Sequence, residues 1–119
     1  MTTTEIAGKL ADHCRKGQWE AAQKELYSQD AISIEPQASP DFEKETKGLS
    51  AIIEKGHKFE TMVEATHGLT VSEILVTGNV IAFILGMDVT MKGQPRMSWA
   101  ELCVYHVKDG KVVSEQFFM

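Results

Sequence analysis

The chain has 119 residues, of which 43% are hydrophobic, and a net charge of −5. This length suits one domain that buries roughly two-thirds of its unfolded surface, so we expect a single domain over residues 1–119. The acidic balance and the lack of a Lys/Arg cluster argue against nucleic acid and anionic membranes as partners. No apolar run approaches the ~20 residues that span a bilayer, and no secretory signal is present, so we expect a cytoplasmic protein.

The first half of the chain has helical periodicity. Thr2 and Glu5 stand at capping-box spacing before an apolar stripe that stops at Gly17, which predicts the first helix. The segment "WEAAQKELYSQ" predicts a short second helix that ends before Asp30, with Tyr27 near its end either covering the core or lining a pocket. Residues 48–64 predict a third helix, and residues 36–48, with two prolines and mixed charge, predict a loop.

After residue 65 the apolar period changes to two, which is typical of strands. We expect four consecutive antiparallel strands over residues 67–76, 79–91, 96–107 and 112–119, with "AISIE" at 31–35 as an outlying strand. This order predicts an α+β fold, in which three N-terminal helices pack on one face of a strongly curved, mainly antiparallel sheet.

Two of these strands show which side of the sheet faces inward. In 79–91 the odd positions form one apolar row, namely Phe83, Leu85, Met87, Val89 and Met91. In 96–107 the inward parity holds Met97, Trp99, Glu101, Cys103, Tyr105 and Val107. The opposite face of that strand is also largely apolar and needs cover of its own, so we expect a homodimer through the outer sheet face.

The facing of Glu115 depends on the register of the last hairpin. A two-residue "DG" turn would oppose Val107 to Val112 and turn Glu115 outward. A "KDG" turn with Gly110 in a bulge would oppose Val107 to Lys111 and bring Glu115 beside Cys103 on the inner face. We expect the second register because it also brings Val113 and Phe117 inside.

Several other side chains are candidates with two interpretations. Glu101 has apolar neighbours and must be paired, protonated or at a pocket mouth. His67 begins a strand near the expected pocket rim, where it is either a surface or structural residue or an acid/base group. Trp99 and Tyr105 are either core or pocket wall. Cys14 and Cys103 fit no zinc spacing, and no His/carboxylate cluster does either, so we expect no metal and no cofactor.

The order of these elements resembles the nuclear-transport-factor-2-like superfamily, and within it the SnoaL-like and ketosteroid-isomerase-like proteins. The resemblance covers nearly the whole chain and rests on "SQDAISIEP", "KGLSAIIEKG" and the hairpin "VYHVKDGKVVSEQFF". It implies a cone-shaped barrel with a deep pocket between sheet and helices, usually in a homodimer. It does not imply one activity, because enzymes and binding proteins share the fold.

The same resemblance places Glu35, directly before Pro36, on the general-base carboxylate of the isomerases. The isomerases also use a tyrosine and a protonated acid, and here Leu10 and Cys103 stand near those positions, which argues against a steroid-isomerase mechanism. Glu115 is the candidate for the late acid described for the polyketide cyclases.

Two functional hypotheses follow. The first is an enzyme that moves protons on a small apolar carbonyl compound by isomerisation, cyclisation or dehydration, with Glu35 as base and Glu101, Glu115 or His67 assisting. The pocket walls would then be Trp99, Tyr105, Cys103, Phe83, Met87 and Phe117. The second is a non-catalytic ligand-binding or dimerisation module, in which the carboxylates bond to one another, to tyrosine or to water.

Overall fold

The computed structural model describes all residues, 1–119, and confirms an α+β fold with three helices in the N-terminal half. Its helices are α1 (Thr3–Arg15), α2 (Trp19–Leu26) and α3 (Leu49–Met62). Its strands are β1 (Tyr27–Ile34), β2 (Glu45–Lys47), β3 (Val63–Val71), β4 (Leu75–Thr77), β5 (Val80–Met91), β6 (Arg96–Lys108) and β7 (Lys111–Phe118). None of the three helices combines the length and the apolar character needed to cross a membrane.

Helix α1 begins directly after Thr2, as the capping-box spacing of Thr2 and Glu5 predicted. The Thr2 hydroxyl accepts a hydrogen bond from the Glu5 backbone N–H at 3.1 Å, and the Thr2 backbone N–H donates to Glu5 Oε1 at 3.0 Å. These two bonds satisfy donors that a helix N-terminus leaves free. The stripe of Ile6, Leu10 and Cys14 is buried, so α1 packs its apolar face into the core.

The sheet is mixed and mainly antiparallel, in the order β2-β1-β7-β6-β5-β3, with β4 paired to β5. The pairs β3/β5, β5/β6 and β6/β7 are antiparallel, as the sequence predicted. Strand β1 instead lies parallel to β7, with Ser33 opposite Glu115. This parallel pair brings the N-terminal part of the chain beside its last strand.

Three boundaries differ from the predictions. Tyr27 opens β1 and does not belong to α2, because it pairs with Val112 of β7. The segment 36–48 is not wholly loop, since β2 pairs with β1 across Ile32 and Lys47. The strand predicted over 67–76 is two strands, β3 and β4, which both pair with β5. The first two differences come from pairings between separate segments of the chain, which a local apolar pattern does not contain, whereas β4 forms a short local hairpin with β5 across Gly78.

The inner face of the sheet is the predicted one. Phe83, Leu85, Met87 and Val89 of β5 are buried, and they join one core cluster with side chains of all three helices. The residues of opposite parity, such as Ile84 and Leu102, are 40% to 48% exposed on the outer face. The alternation in the strands therefore predicted correctly which face the helices cover.

The final hairpin combines features of both predicted registers. Asp109 and Gly110 form a two-residue turn with φ of 51° and 73°, and Val107 opposes Val112. The expected bulge at Gly110 is therefore wrong. Val113 is an extra residue in β7 that has no partner on β6, and it shifts the alternation of the strand by one position. As a result, Glu115 opposes Tyr105 and Phe117 opposes Cys103 on the inner face. Glu115 and Phe117 lie on the inner side as expected, but Val113 is only half-buried.

Gly110 should be intolerant of a side chain. Its φ of 73° lies in the left-handed region, and an added Cβ would lie 3.2 Å from the backbone nitrogen of Met1. We expect Gly110→Ala to lower the free energy of unfolding by about 1–2 kcal/mol, measured by urea unfolding.

Gly8→Ala is the matched control for this substitution. Gly8 lies within α1, and an added Cβ there has nothing within 4 Å. Alanine at this position should raise the free energy of unfolding by up to about 1 kcal/mol, because it is the better helix former. Equal effects of the two substitutions would contradict the strained turn.

Candidate active site

A cavity of about 350 Å³ lies between the helices and the inner face of the sheet. Its walls are mostly apolar and come from α1, α2, α3, β5, β6 and the C-terminal end of the chain. The ionisable groups along it are Cys14, Tyr27, Glu35, Lys55, Glu101, Tyr105 and Glu115. A volume of this size lies at the lower end of the range for small-molecule pockets.

Glu115 is the buried acid of the cavity. The Tyr27 hydroxyl donates a hydrogen bond to one carboxyl oxygen, and the Ser33 hydroxyl donates to the other at 2.6 Å. Burial raises the pKa of Glu115, and these two hydroxyl bonds oppose that rise by stabilising the charged form. Both carboxyl oxygens of Glu115 are therefore already hydrogen-bonded within the protein.

Lys55 connects this buried group to Glu35. Its ammonium group donates to Ser33 Oγ at 2.6 Å and to Glu35 Oε1 at 2.8 Å. The side chain of Lys55 is 15% exposed and that of Glu35 is 26% exposed. Glu35 is thus paired with a cation at the partly open side of the cavity.

Glu101 has a different environment. It lines the cavity from β6 and is half-buried. Burial, together with repulsion from Glu35 and Glu115, raises its pKa from 4.5 to about 7, while the Lys55 charge acts in the opposite direction. No hydrogen bond contributes to this shift. Glu101 is therefore a carboxyl group that can both take up and release a proton near neutral pH.

Most of the residues predicted from the sequence meet at this cavity. Three carboxylates and four wall residues line it, namely Glu35, Glu101, Glu115, Met87, Trp99, Tyr105 and Phe117. Phe83 and Cys103 do not line it, although both are buried on the predicted face. The Phe83 ring packs against that of Tyr105, with centroids 5.5 Å apart, and so belongs to the core around the cavity.

His67 also lies away from the cavity. It is exposed at an irregularity in the β3/β5 pairing, and its Nε2 lies 2.8 Å from Thr90 Oγ1. The expectation of a position at the pocket rim is therefore wrong. The strand at whose start His67 was expected begins four residues earlier, at Val63.

Sequence reasoning missed Lys55, Ser33 and the role of Tyr27. Lys55 follows the buried Ile52 by three residues, a spacing that puts both on one face of α3. Ser33 lies on β1 two residues before Glu35, which directly follows the strand, so the alternation of an extended chain places both side chains on the same side. These two spacings could have identified the residues, whereas the contact of Tyr27 with Glu115 spans 88 positions and has no local signal.

The arrangement contains the groups for proton transfer. It presents one carboxyl group with a pKa near 7 and one ammonium group to an apolar cavity. No group of three or more His, Cys, Asp or Glu side chains is arranged to hold a metal ion.

Comparison with known proteins agrees with this fold. The family model for the SnoaL-like domain matches residues 1–119, so the chain belongs to the SnoaL-like domain family. No curated protein matches it in sequence.

Solved structures extend the likeness to the wider superfamily. A proposed SnoaL-like polyketide cyclase from Mesorhizobium loti has a TM-score of 0.91 and 28% identity, with 100% of each chain covered. An NTF2-like protein of unknown function from Burkholderia pseudomallei has a TM-score of 0.80 and 12% identity, covering 100% of this chain and 92% of that one. A protein with a ketosteroid-isomerase-like fold from Catenulispora acidiphila, in complex with trimethylamine, has a TM-score of 0.77 and 16% identity. The match covers 99% of this chain and 87% of that one.

The raised pKa of Glu101 should make stability depend on pH. The unfolded chain releases this proton near pH 4.5, whereas the folded protein keeps it until about pH 7. The folded state therefore binds more protons in this window, and the free energy of unfolding should fall as pH rises, by up to about 1.4 kcal/mol per pH unit from this group.

Glu101→Gln isolates this contribution. Urea unfolding of the wild type and the variant across the same pH window should give a less negative pH slope for the variant, because only Glu101 has been removed from the titration. Identical slopes would show that Glu101 titrates normally in the folded protein.

Proposed function

We propose that the protein is a proton-transfer enzyme of the SnoaL-like type, acting by isomerisation, cyclisation or dehydration on a small and mostly apolar carbonyl compound. The observation that carries this proposal is Glu101, a carboxyl group with a pKa of about 7 on an otherwise largely apolar cavity wall. A catalytic base is most effective when its pKa lies near the working pH.

The cavity supports this class of substrate. Trp99, Tyr105, Met87 and Phe117 supply wide apolar surfaces suited to a flat ring compound, at a volume of about 350 Å³. The likeness to the Mesorhizobium loti protein, a proposed polyketide cyclase, at 28% identity over the whole chain, supports cyclisation as one of these reactions. The position of the cavity between helices and sheet also supports the curved, cone-shaped sheet that the sequence resemblance implies.

The roles of the three carboxylates follow from their partners. Glu101 is the base, because its carboxyl group has no hydrogen bond that stabilises the charged form. Glu115 orients the site, because both of its oxygens are bonded to Tyr27 and Ser33. Glu35 pairs with Lys55 and sets the position of that ammonium group.

The proton-transfer step conserves atoms and charge. The Glu101 carboxylate takes a proton from the carbon next to the substrate carbonyl, and the C–H electron pair moves into the carbonyl to form an enolate. Glu101, now protonated, returns the proton at the same carbon or at another position. This sequence of two proton transfers requires no oxidant or reductant.

Deuterium exchange tests the proposal without knowledge of the natural substrate. The probe is β-tetralone, an apolar bicyclic ketone, in deuterated buffer, with loss of its α-hydrogen signal followed by NMR. The wild type should accelerate exchange above buffer, and Glu101→Gln should reduce the accelerated part at least about 100-fold, because it removes the base.

Glu54→Gln is the matched control for that experiment, since Glu54 is an exposed glutamate on α3 that does not line the cavity. It should leave exchange unchanged. A Glu101→Gln variant as active as the wild type would show that Glu101 is not the base.

A second candidate function is non-catalytic ligand binding. It is favoured by the bonding of two of the three carboxylates within the protein, Glu115 to two hydroxyl groups and Glu35 to Lys55. Under this alternative the cavity would bind β-tetralone or a similar compound, detected as a rise in Tm, without any exchange above buffer.

We also propose that two copies associate through the outer face of the sheet. Ile84, Leu102 and Phe118 lie directly opposite one another on β5, β6 and β7 and form an apolar row across three strands. Each of the three is at least 40% exposed. An exposed apolar row of this kind is typical of a protein interface.

Leu102→Glu should therefore produce a monomer, because it places a charge in the centre of the row. Sedimentation velocity measures the change in mass. Val76→Glu is the matched control, since Val76 is 39% exposed but lies opposite Ile81, on the inner-face parity. A wild type that sediments as a monomer at high concentration would contradict the dimer.

A further inference from the structure

Lys55 is the single positively charged side chain that lines the cavity. Its ammonium group has three N–H donors, and the protein accepts two of them, at Ser33 Oγ and Glu35 Oε1. The Phe117 ring lies 5.9 Å from the Lys55 nitrogen and offers no strong acceptor. One ammonium donor therefore remains without a protein acceptor in a largely apolar space.

The free donor shares this space with the proposed base. Glu101 and Lys55 both line the cavity, and the Lys55 charge is close enough to influence the ionisation of Glu101. A ligand that lies between the two side chains would have a base on one side and a cationic donor on the other. A hydrogen bond in which the donor or the acceptor is ionised is roughly twice as strong as one between two neutral groups, and a negatively charged oxygen adds direct attraction to the cation.

We propose that Lys55 binds the negatively charged oxygen of the ligand, and that the substrate class is an enolisable carbonyl compound whose enolate forms against this ammonium group. This inference rests on the proposed function. It adds the residue that stabilises the oxyanion, a role for which Leu10 and Cys103 have no suitable donor.

The charge balance of the cavity agrees with this role. When Glu101 takes the proton, its negative charge disappears and a negative charge appears on the ligand oxygen, so the net charge of the cavity does not change. The new charge lies beside a fixed cation whose position is already set by Ser33 and Glu35. Such preorganised donors stabilise the developing charge without further rearrangement.

Two matched probes test the proposal by equilibrium binding. Dimedone is a small cyclic diketone that exists as an enolate anion near neutral pH, and its O-methyl enol ether is a neutral compound of nearly the same shape. The wild type should bind the anion about 10- to 100-fold more tightly than the ether, as expected for one charge-assisted hydrogen bond. Equal or tighter binding of the ether would overturn the proposal.

Variants assign the preference to Lys55. Lys55→Met should abolish the preference for the anion, and Lys24→Met, which removes an exposed lysine that pairs with Glu20, should retain it. The side-chain NMR signal of Lys55 in the wild type gives a second readout that does not depend on the folding of a variant. This signal should shift on addition of dimedone while that of Lys24 stays in place, and an unmoved Lys55 signal would overturn the proposal.

Glu101→Gln separates this inference from the proposed function. The variant resembles protonated Glu101 and removes a competing negative charge, so it should bind dimedone at least as tightly as the wild type while losing exchange activity. Anion binding without exchange in the wild type would contradict only the proposed enzyme. Exchange that persists without any preference for the anion would contradict only the role of Lys55.

Discussion

The buried carboxyl group of Glu115 is the constraint on which the rest of the site depends. A carboxyl group in the core is costly unless it is hydrogen-bonded, and here both donors come from β1, namely Tyr27 and Ser33. These bonds join β1 to β7, the one parallel pair of the sheet. Ser33 in turn accepts from Lys55, so the same contact orients the cation of the cavity. Loss of Glu115 would therefore affect the strand pairing and the site together.

The four charged groups of the cavity, Glu35, Lys55, Glu101 and Glu115, differ in whether they are bonded to other groups of the protein. Glu115 and Glu35 are bonded within the protein, and they hold Lys55 in place through Ser33 and an ion pair. Glu101 is the remaining acid, and the same two carboxylates raise its pKa by repulsion. The fold thus raises the pKa of an ordinary glutamate, Glu101, to about 7, because burial and like charges act on the one cavity carboxyl group that has no hydrogen-bond donor.

The final hairpin shows why the local pattern predicted that Glu115 faces inward but did not predict where the bulge that turns it inward lies. The expected register placed the extra residue at Gly110, whereas the turn contains only Asp109 and Gly110 and the irregularity lies at Val113. Both arrangements turn Glu115 inward, because either one shifts the two-residue alternation by one position. The facing was therefore predictable from the apolar alternation, and the position of the bulge was not, since it depends on packing against β6.

The amino-acid sequence by itself determined the α+β class, the three helices, the antiparallel strands and the cavity-facing parity of Glu101, because all of these follow from local periodicity and capping. The tertiary structure alone decided which cavity carboxyl groups are bonded within the protein and which one is not. The resemblance to the isomerases placed Glu35 on their general base, whereas the fold pairs Glu35 with Lys55, 20 positions away. Long-range contacts of this kind set the charge and hydration of each carboxyl group, and a one-dimensional pattern contains neither distance nor burial.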